Sequence, residues 1–143
     1  MIRNILFVCT GNSARSIIAE AIINNQFKDK FKAYSAGSNP TGIINPDIKK
    51  FLELKNYNLS NYSSKSFNVY LKKNIKMDLV ITVCNNANKE LCPVWPNKNQ
   101  IIHWNIEDPV QKLNQTNDEI KKKIIFEEIF SKINLKIIDV LKI

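Results

Sequence analysis

The chain has 143 residues, 44% of them hydrophobic and 24% charged, and carries a formal charge of +8. That is the composition of a soluble globular protein, and the length suits a single domain over residues 1–143 that buries roughly 68–70% of its unfolded surface without disulfides or a structural metal. No apolar run approaches a membrane span, and Met1-Ile2-Arg3-Asn4 leads into a strand-like run with no cleavage pattern. Three cysteines are an odd number for a secreted disulfide framework, so free thiols in a reducing, cytoplasmic compartment are expected. The basic field attracts anions. The lysines are scattered, however, and the one run of three, Lys121 to Lys123, belongs to a solvated helix face. Neither nucleic acid nor a membrane is expected as a partner.

Ile5-Leu6-Phe7-Val8 is a continuous apolar run, as in a strand buried on both faces, and stops at Cys9. Ala14, Ile17, Ile18, Ala21 and Ile22 then follow helical spacing, with Asn12 or Ser13 as the cap. Lys32 to Ala36 reads as a second strand ending at Gly37. Asn45-Pro46 opens a second helix with an apolar stripe of Ile48, Phe51 and Leu52. Residues 58–66 are a polar loop, and a short helix follows near Phe67 to Lys73. Leu79 to Val83 is a third strand ending at Cys84, 85–96 a loop, and Gln100 to Trp104 a fourth strand. Thr116 and Glu119 have the spacing of a capping box before a helix striped by Phe126, Phe130, Ile133, Ile137 and Leu141. Alternating strands and helices predict an α/β fold of three layers. A four-stranded, mostly parallel sheet would carry helices on both faces. Such a sheet binds ligands beyond the carboxyl ends of its strands, the edge to which Cys9, Cys84 and Asp108 are all delivered.

The chemistry concentrates in Cys9-Thr10-Gly11-Asn12-Ser13-Ala14-Arg15-Ser16. Five residues between a cysteine and an arginine can wrap a semicircle with amides pointing inward as a nest for an anion, and the following helix adds its positive end. Thr10, Gly11, Asn12, Ser13 and Ala14 would bind substrate through that backbone, with Gly11 supplying dihedrals a side chain forbids. Arg15 can grip two oxygens with its planar fork. A helix start and a guanidinium favour the thiolate, the nucleophilic form of Cys9, and Ser16 can donate to the sulfur. A structural cysteine beside a surface arginine is the plain alternative for C-x5-R alone.

Phe7 to Glu20 resembles the active-site loop of the low-molecular-weight tyrosine phosphatase superfamily. Ala33-Tyr34-Ser35-Ala36-Gly37 and the late pair Asp108-Pro109 extend the resemblance. It implies that Asp108 protonates a leaving oxygen and that Asn12 holds the loop's shape. Cys84 and Cys92, with seven residues between them and followed by Pro93-Val94-Trp95-Pro96, are similar to the redox loop of the arsenate reductases built on this fold. The resemblance implies that Cys9 attacks arsenate, Cys84 attacks Cys9 to release arsenite, and Cys92 attacks Cys84. It also implies that an external thiol reductant, thioredoxin or glutathione with glutaredoxin, reopens the Cys84–Cys92 disulfide. Phosphatases of the superfamily often have a second cysteine where this chain has Ala14, and a tyrosine after Asp-Pro where it has Val110. Some reductases bind potassium beside the loop through an acidic residue after a Ser/Thr pair. Here Ser63-Ser64 is followed by Lys65, whose ammonium can replace that cation, although Asn12, Glu20 and Ser35 match the remaining ligands. No potassium dependence and no bound metal or cofactor are expected, since C-x7-C with one histidine lacks a zinc ligand set.

The leading expectation is thus a monomeric, thiol-dependent arsenate reductase acting on arsenate or a phosphate-like oxyanion. A tyrosine phosphatase working through a Cys9 phosphocysteine is the alternative, and a non-catalytic anion- or phosphoprotein-binding module a further one. His103, the lone histidine, is expected to be a satisfied strand-end residue. Trp95 and Trp104 are expected to pack, and Gly37 and Gly42 to turn the chain.

Overall fold

The computed structural model describes residues 1–85, 94–96 and 99–142. Four strands, β1 (Arg3–Cys9), β2 (Phe31–Gly37), β3 (Leu79–Cys84) and β4 (Ile101–Asn105), form one sheet in the order β2-β1-β3-β4, and every pairing is parallel. The helices are α1 (Arg15–Gln26), α2 (Pro46–Leu54), α3 (Asn68–Lys73), α4 (Val110–Asn114) and α5 (Glu119–Leu141). Among the described residues no helix is long and apolar enough to cross a membrane.

The apolar run of β1 serves both faces, as a central strand must. Ile5, Phe7 and Cys9 join the core beneath α1, α2 and α5, while Leu6 and Val8 pack with Tyr70, Met77 and Trp95 on the opposite side. α1 is buried continuously from Arg15 to Ile23, because β1 and β2 lie on one side of it and α5 and α2 on the other. The apolar stripe read from sequence therefore understates its burial. Phe126, Phe130, Ile133 and Ile137 seal that layer, as their spacing predicts, together with Ile129. Trp104 packs on Phe7 and Trp95 lies edge-on to Phe67, so both tryptophans belong to the core.

Three local expectations need correction. No side chain caps α1: Ala14 holds its N-cap, because the Asn12 side chain is spent inside the preceding loop. Asp118, not Thr116, caps α5, accepting from the amides of Ile120 and Lys121, and Thr116 Oγ1 accepts from Asp118 N–H one turn earlier. The five-residue α4 was not foreseen, being too short to carry a period. Asn45 does cap α2 as expected, taking the amides of Asp47 and Ile48.

Candidate active site

The chain leaves β1 at its carboxyl end, where the strand order reverses between β1 and β3, the place where open parallel sheets form a crevice. The loop 10–14 is moulded there by the segment after β2. Ser38, Asn39, Thr41 and Asn45 donate their backbone N–H groups to the carbonyls of Cys9, Thr10, Gly11 and Ser13 at 2.9–3.1 Å. In a planar trans peptide the N–H points opposite to the C=O. Drawing those carbonyls outward therefore turns the amides of Thr10, Gly11, Asn12 and Ala14 inward. Asn12 N–H accordingly donates to Cys9 Sγ at 3.2 Å. Main-chain amides turned inward in this way are the arrangement of an anion-binding nest.

Two residues fix its shape. Asn12 is fully buried with φ +48°, the left-handed region. Its Nδ2 donates to Ser16 Oγ at 2.8 Å, and its Oδ1 accepts Lys65 N–H at 2.8 Å. The left-handed position in the loop is thus Asn12, and the special role expected of Gly11 is corrected: Gly42, at φ +84°, is the glycine with positive φ. Asparagine tolerates this region because its side chain bonds locally. Gly37 is needed for close approach rather than for a turn, since a Cβ there would lie 2.6 Å from the Thr10 carbonyl oxygen. Ser64 adds a hydroxyl bond to the Gly11 carbonyl.

Cys9 is a free, buried thiol, with Ser16 Oγ 2.9 Å from its sulfur. The Arg15 side chain is buried. Its Nη1 donates to the Ile106 carbonyl at 2.9 Å, and its Nη2 lies 3.7 Å from Asp108 Oδ2, a carboxylate that is 47% exposed. Ile106 N–H in turn donates to the Cys84 carbonyl, which ties the Asp108 segment to the end of β3. The site thus brings Cys9, Asn12, Arg15, Ser16 and Asp108 together. Sequence reasoning missed the outward-pulling segment 38–45, Ser64 and the Ile106 carbonyl, whose contributions are mostly main-chain atoms that no residue type announces.

Cys84 is buried and disulfide-bonded, so the expectation of free thiols holds for Cys9 and not for Cys84. Strand alternation sets Val80, Thr82 and Cys84 on the sheet face opposite to Cys9. Cys92 lies outside the described residues. His103 pairs with Thr82 across β4 and β3, and its Nδ1 lies 2.9 Å from Thr82 Oγ1.

Behind the nest, Glu20 is 7% exposed and accepts the Ser35 hydroxyl at 2.5 Å. Burial raises its carboxyl pKa, against the lowering pull of Ser35 and of the Lys65 ammonium. Burial lowers the Lys65 pKa, with Glu20 holding it up. Lys65 Nζ donates to the Ser63 carbonyl at 2.7 Å. The Lys65 ammonium and the Glu20 carboxyl thus act on each other's charge. Among the described residues no group of three His, Cys, Asp or Glu side chains is set to hold a metal ion.

Residues 4–142 match the family of low molecular weight phosphotyrosine protein phosphatases. An arsenate reductase of Bacillus cereus (strain 03BB102) is 35% identical over 126 residues, which cover 85% of this chain and 91% of that protein. The solved arsenate reductase of Archaeoglobus fulgidus superposes with a TM-score of 0.69 at 29% identity, over 90% of this chain and 94% of its own. A thioredoxin-dependent arsenate reductase of Corynebacterium glutamicum gives 0.65 at 25% identity, covering 98% of this chain and 62% of the other.

Proposed function

The chain belongs to the low molecular weight phosphotyrosine protein phosphatase family, and within it we propose that it reduces arsenate to arsenite with electrons from its own thiols. In this reading the inward amides and Arg15 bind the oxyanion. The Cys9 thiolate attacks arsenic while Asp108 gives a proton to the departing oxygen, leaving a Cys9–arsenic(V) adduct. The Cys84 thiolate then attacks Cys9 Sγ. The sulfur–arsenic bond breaks, its electron pair stays on arsenic, and arsenite leaves. The Cys9–Cys84 disulfide passes to Cys84–Cys92 by a second exchange, and an external thiol reductant, of the thioredoxin or glutathione–glutaredoxin type, restores the dithiol. A reducing cytoplasm suits that last step.

The observation that carries this reading is a second sulfur, Cys84, at the end of the strand next to β1, already in a disulfide while Cys9 is free. Cys84 stands on the far face of the sheet, so its attack requires the end of β3 to turn. Phosphatase activity is the second reading, favoured by Asp108 beside Arg15, the place for an acid at a leaving oxygen. Cys84→Ser separates the two. Arsenate turnover with thioredoxin and its reductase is expected to vanish while hydrolysis of an aryl phosphate persists. Undiminished arsenate turnover in that variant would refute the cascade, and Cys9→Ser is expected to abolish both activities.

A further inference from the structure

The lone histidine does more than satisfy a strand end. His103 sits beside Thr82 in the β3–β4 register, and alternation puts Thr82, Cys84 and His103 on one face. The ring is held at both nitrogens: Nδ1 lies 2.9 Å from Thr82 Oγ1, and Nε2 lies 3.7 Å from Cys84 Sγ. Thr82 and Cys84 are buried, whereas His103 is exposed, so the imidazole links a buried sulfur to solvent. Such a contact suits proton traffic, since the thiolate is the reactive form of cysteine and an imidazole nitrogen can accept or donate a proton.

From this geometry we infer that His103 is the proton acceptor and donor for Cys84. The inference rests on the reductase reading above. With Nδ1–H donated to Thr82 Oγ1, Nε2 presents its lone pair to the sulfur. In the reduced protein the Cys84 proton passes to Nε2, leaving a thiolate beside an imidazolium, and that thiolate attacks Cys9 Sγ once the end of β3 has turned. In the resetting step a thiolate of the external reductant attacks the sulfur bonded to Cys84. A new S–S bond forms, the old one breaks, and its electron pair leaves on Cys84 as a thiolate stabilised by the Nε2–H. Cys9 has no part in this device, since its own partners are Ser16 and the Asn12 amide.

Acidic groups close in sequence to β3 and β4 are otherwise engaged. Glu107 pairs with Lys112, Asp108 with Arg15, and Asp78 accepts the Asn4 amide. Among the described residues no ion pair involves His103, so the sulfur is the titratable group its ring addresses.

The test reads Cys84 directly. In the full chain carrying Cys9→Ser and Cys92→Ser, Cys84 is the sole thiol, and its alkylation by iodoacetamide is followed against pH with and without His103→Gln. His103→Gln is expected to slow alkylation at pH 7 about tenfold, the ratio between a half-ionised thiol and one only a few per cent ionised, and to leave the rate at high pH unchanged. Superimposable profiles would overturn the inference. Thr82→Val, which unties Nδ1 but keeps the ring, is expected to give an intermediate profile, and it serves as the test if His103→Gln does not fold; a wild-type profile there would also overturn it. In the otherwise native chain, His103→Gln is expected to lower kcat for arsenate with KM unchanged. A wild-type protein that fails to reduce arsenate would sink the reductase reading and leave the alkylation profile to judge His103. An active reductase whose Cys84 ignores His103 would sink this inference alone.

Discussion

Replacing Asn12 tests the anion nest at its most constrained point. Its side chain makes a buried hydrogen bond to Ser16 Oγ and a partly buried one from Lys65 N–H, both at 2.8 Å, and its backbone sits at φ +48°. Each bond contributes about 1 kcal/mol. A non-glycine residue without a bonding side chain pays roughly 1–2 kcal/mol in the left-handed region. Asn12→Ala is therefore expected to destabilise by about 3–4 kcal/mol. Asn12→Gly loses the same bonds without the backbone strain, and is expected to cost about 1 kcal/mol less. Urea unfolding followed by circular dichroism reads both numbers, and phosphate titration by calorimetry reads the nest. A total stability of about 5–15 kcal/mol leaves both variants folded. If both variants unfold within about 0.5 kcal/mol of the parent, the residue does not hold the loop, and the account of the inward amides fails with it.

Three further outcomes follow from the same geometry. Gly37→Ala pushes a methyl to within 2.6 Å of the Thr10 carbonyl oxygen, so a loss of about 1–3 kcal/mol and weaker phosphate binding are expected; an unchanged melting temperature would contradict the close approach. Activity is expected to be equal in sodium and potassium salts, while Lys65→Ala, which leaves Glu20 without its ammonium, is expected to gain thermal stability from potassium over sodium; a potassium response in the parent would refute the substitution of ammonium for metal. Burial raises the Glu20 pKa above its unfolded value of 4.5, so its contribution to stability is fullest below that pH and declines as pH rises through the folded value; Glu20→Gln is expected to remove that decline, measured by urea unfolding from pH 4.5 to neutrality.

The parallel sheet, the core of α5 and the Cys9-to-Ser16 loop were legible because each has a local signature: an unbroken apolar run, a helical period, and a reactive pair at fixed spacing. Asn45-Pro46 announced α2 for the same reason. What was not legible depends on distant main chain. The amides of Ser38, Asn39, Thr41 and Asn45 shape the nest, yet any residue but proline could supply them. The assignment of the left-handed position to Gly11 rather than Asn12 failed because the bonds that stabilise Asn12 include the backbone of Lys65, 53 residues away. His103 looked inert because its partners are set by strand register, which one chain's sequence does not reveal.

The order of the strands joins these features into one argument. With β1 between β2 and β3, the chain after β2 runs back over the end of β1, and its amides can draw out the loop's carbonyls. The same order places the end of β3 on the other flank, with Cys84 one strand from Cys9 and its carbonyl bonded to Ile106, the residue whose own carbonyl holds Arg15. On the proposed reductase reading, a turn at the end of β3 that carries Cys84 towards Cys9 would pull on Ile106, the residue whose carbonyl holds the guanidinium. On that reading, one main-chain bond and one bond from the Arg15 side chain would link anion grip to sulfur transfer, so an oxyanion bound at Arg15 and the placement of Cys84 would influence each other to the same degree in both directions.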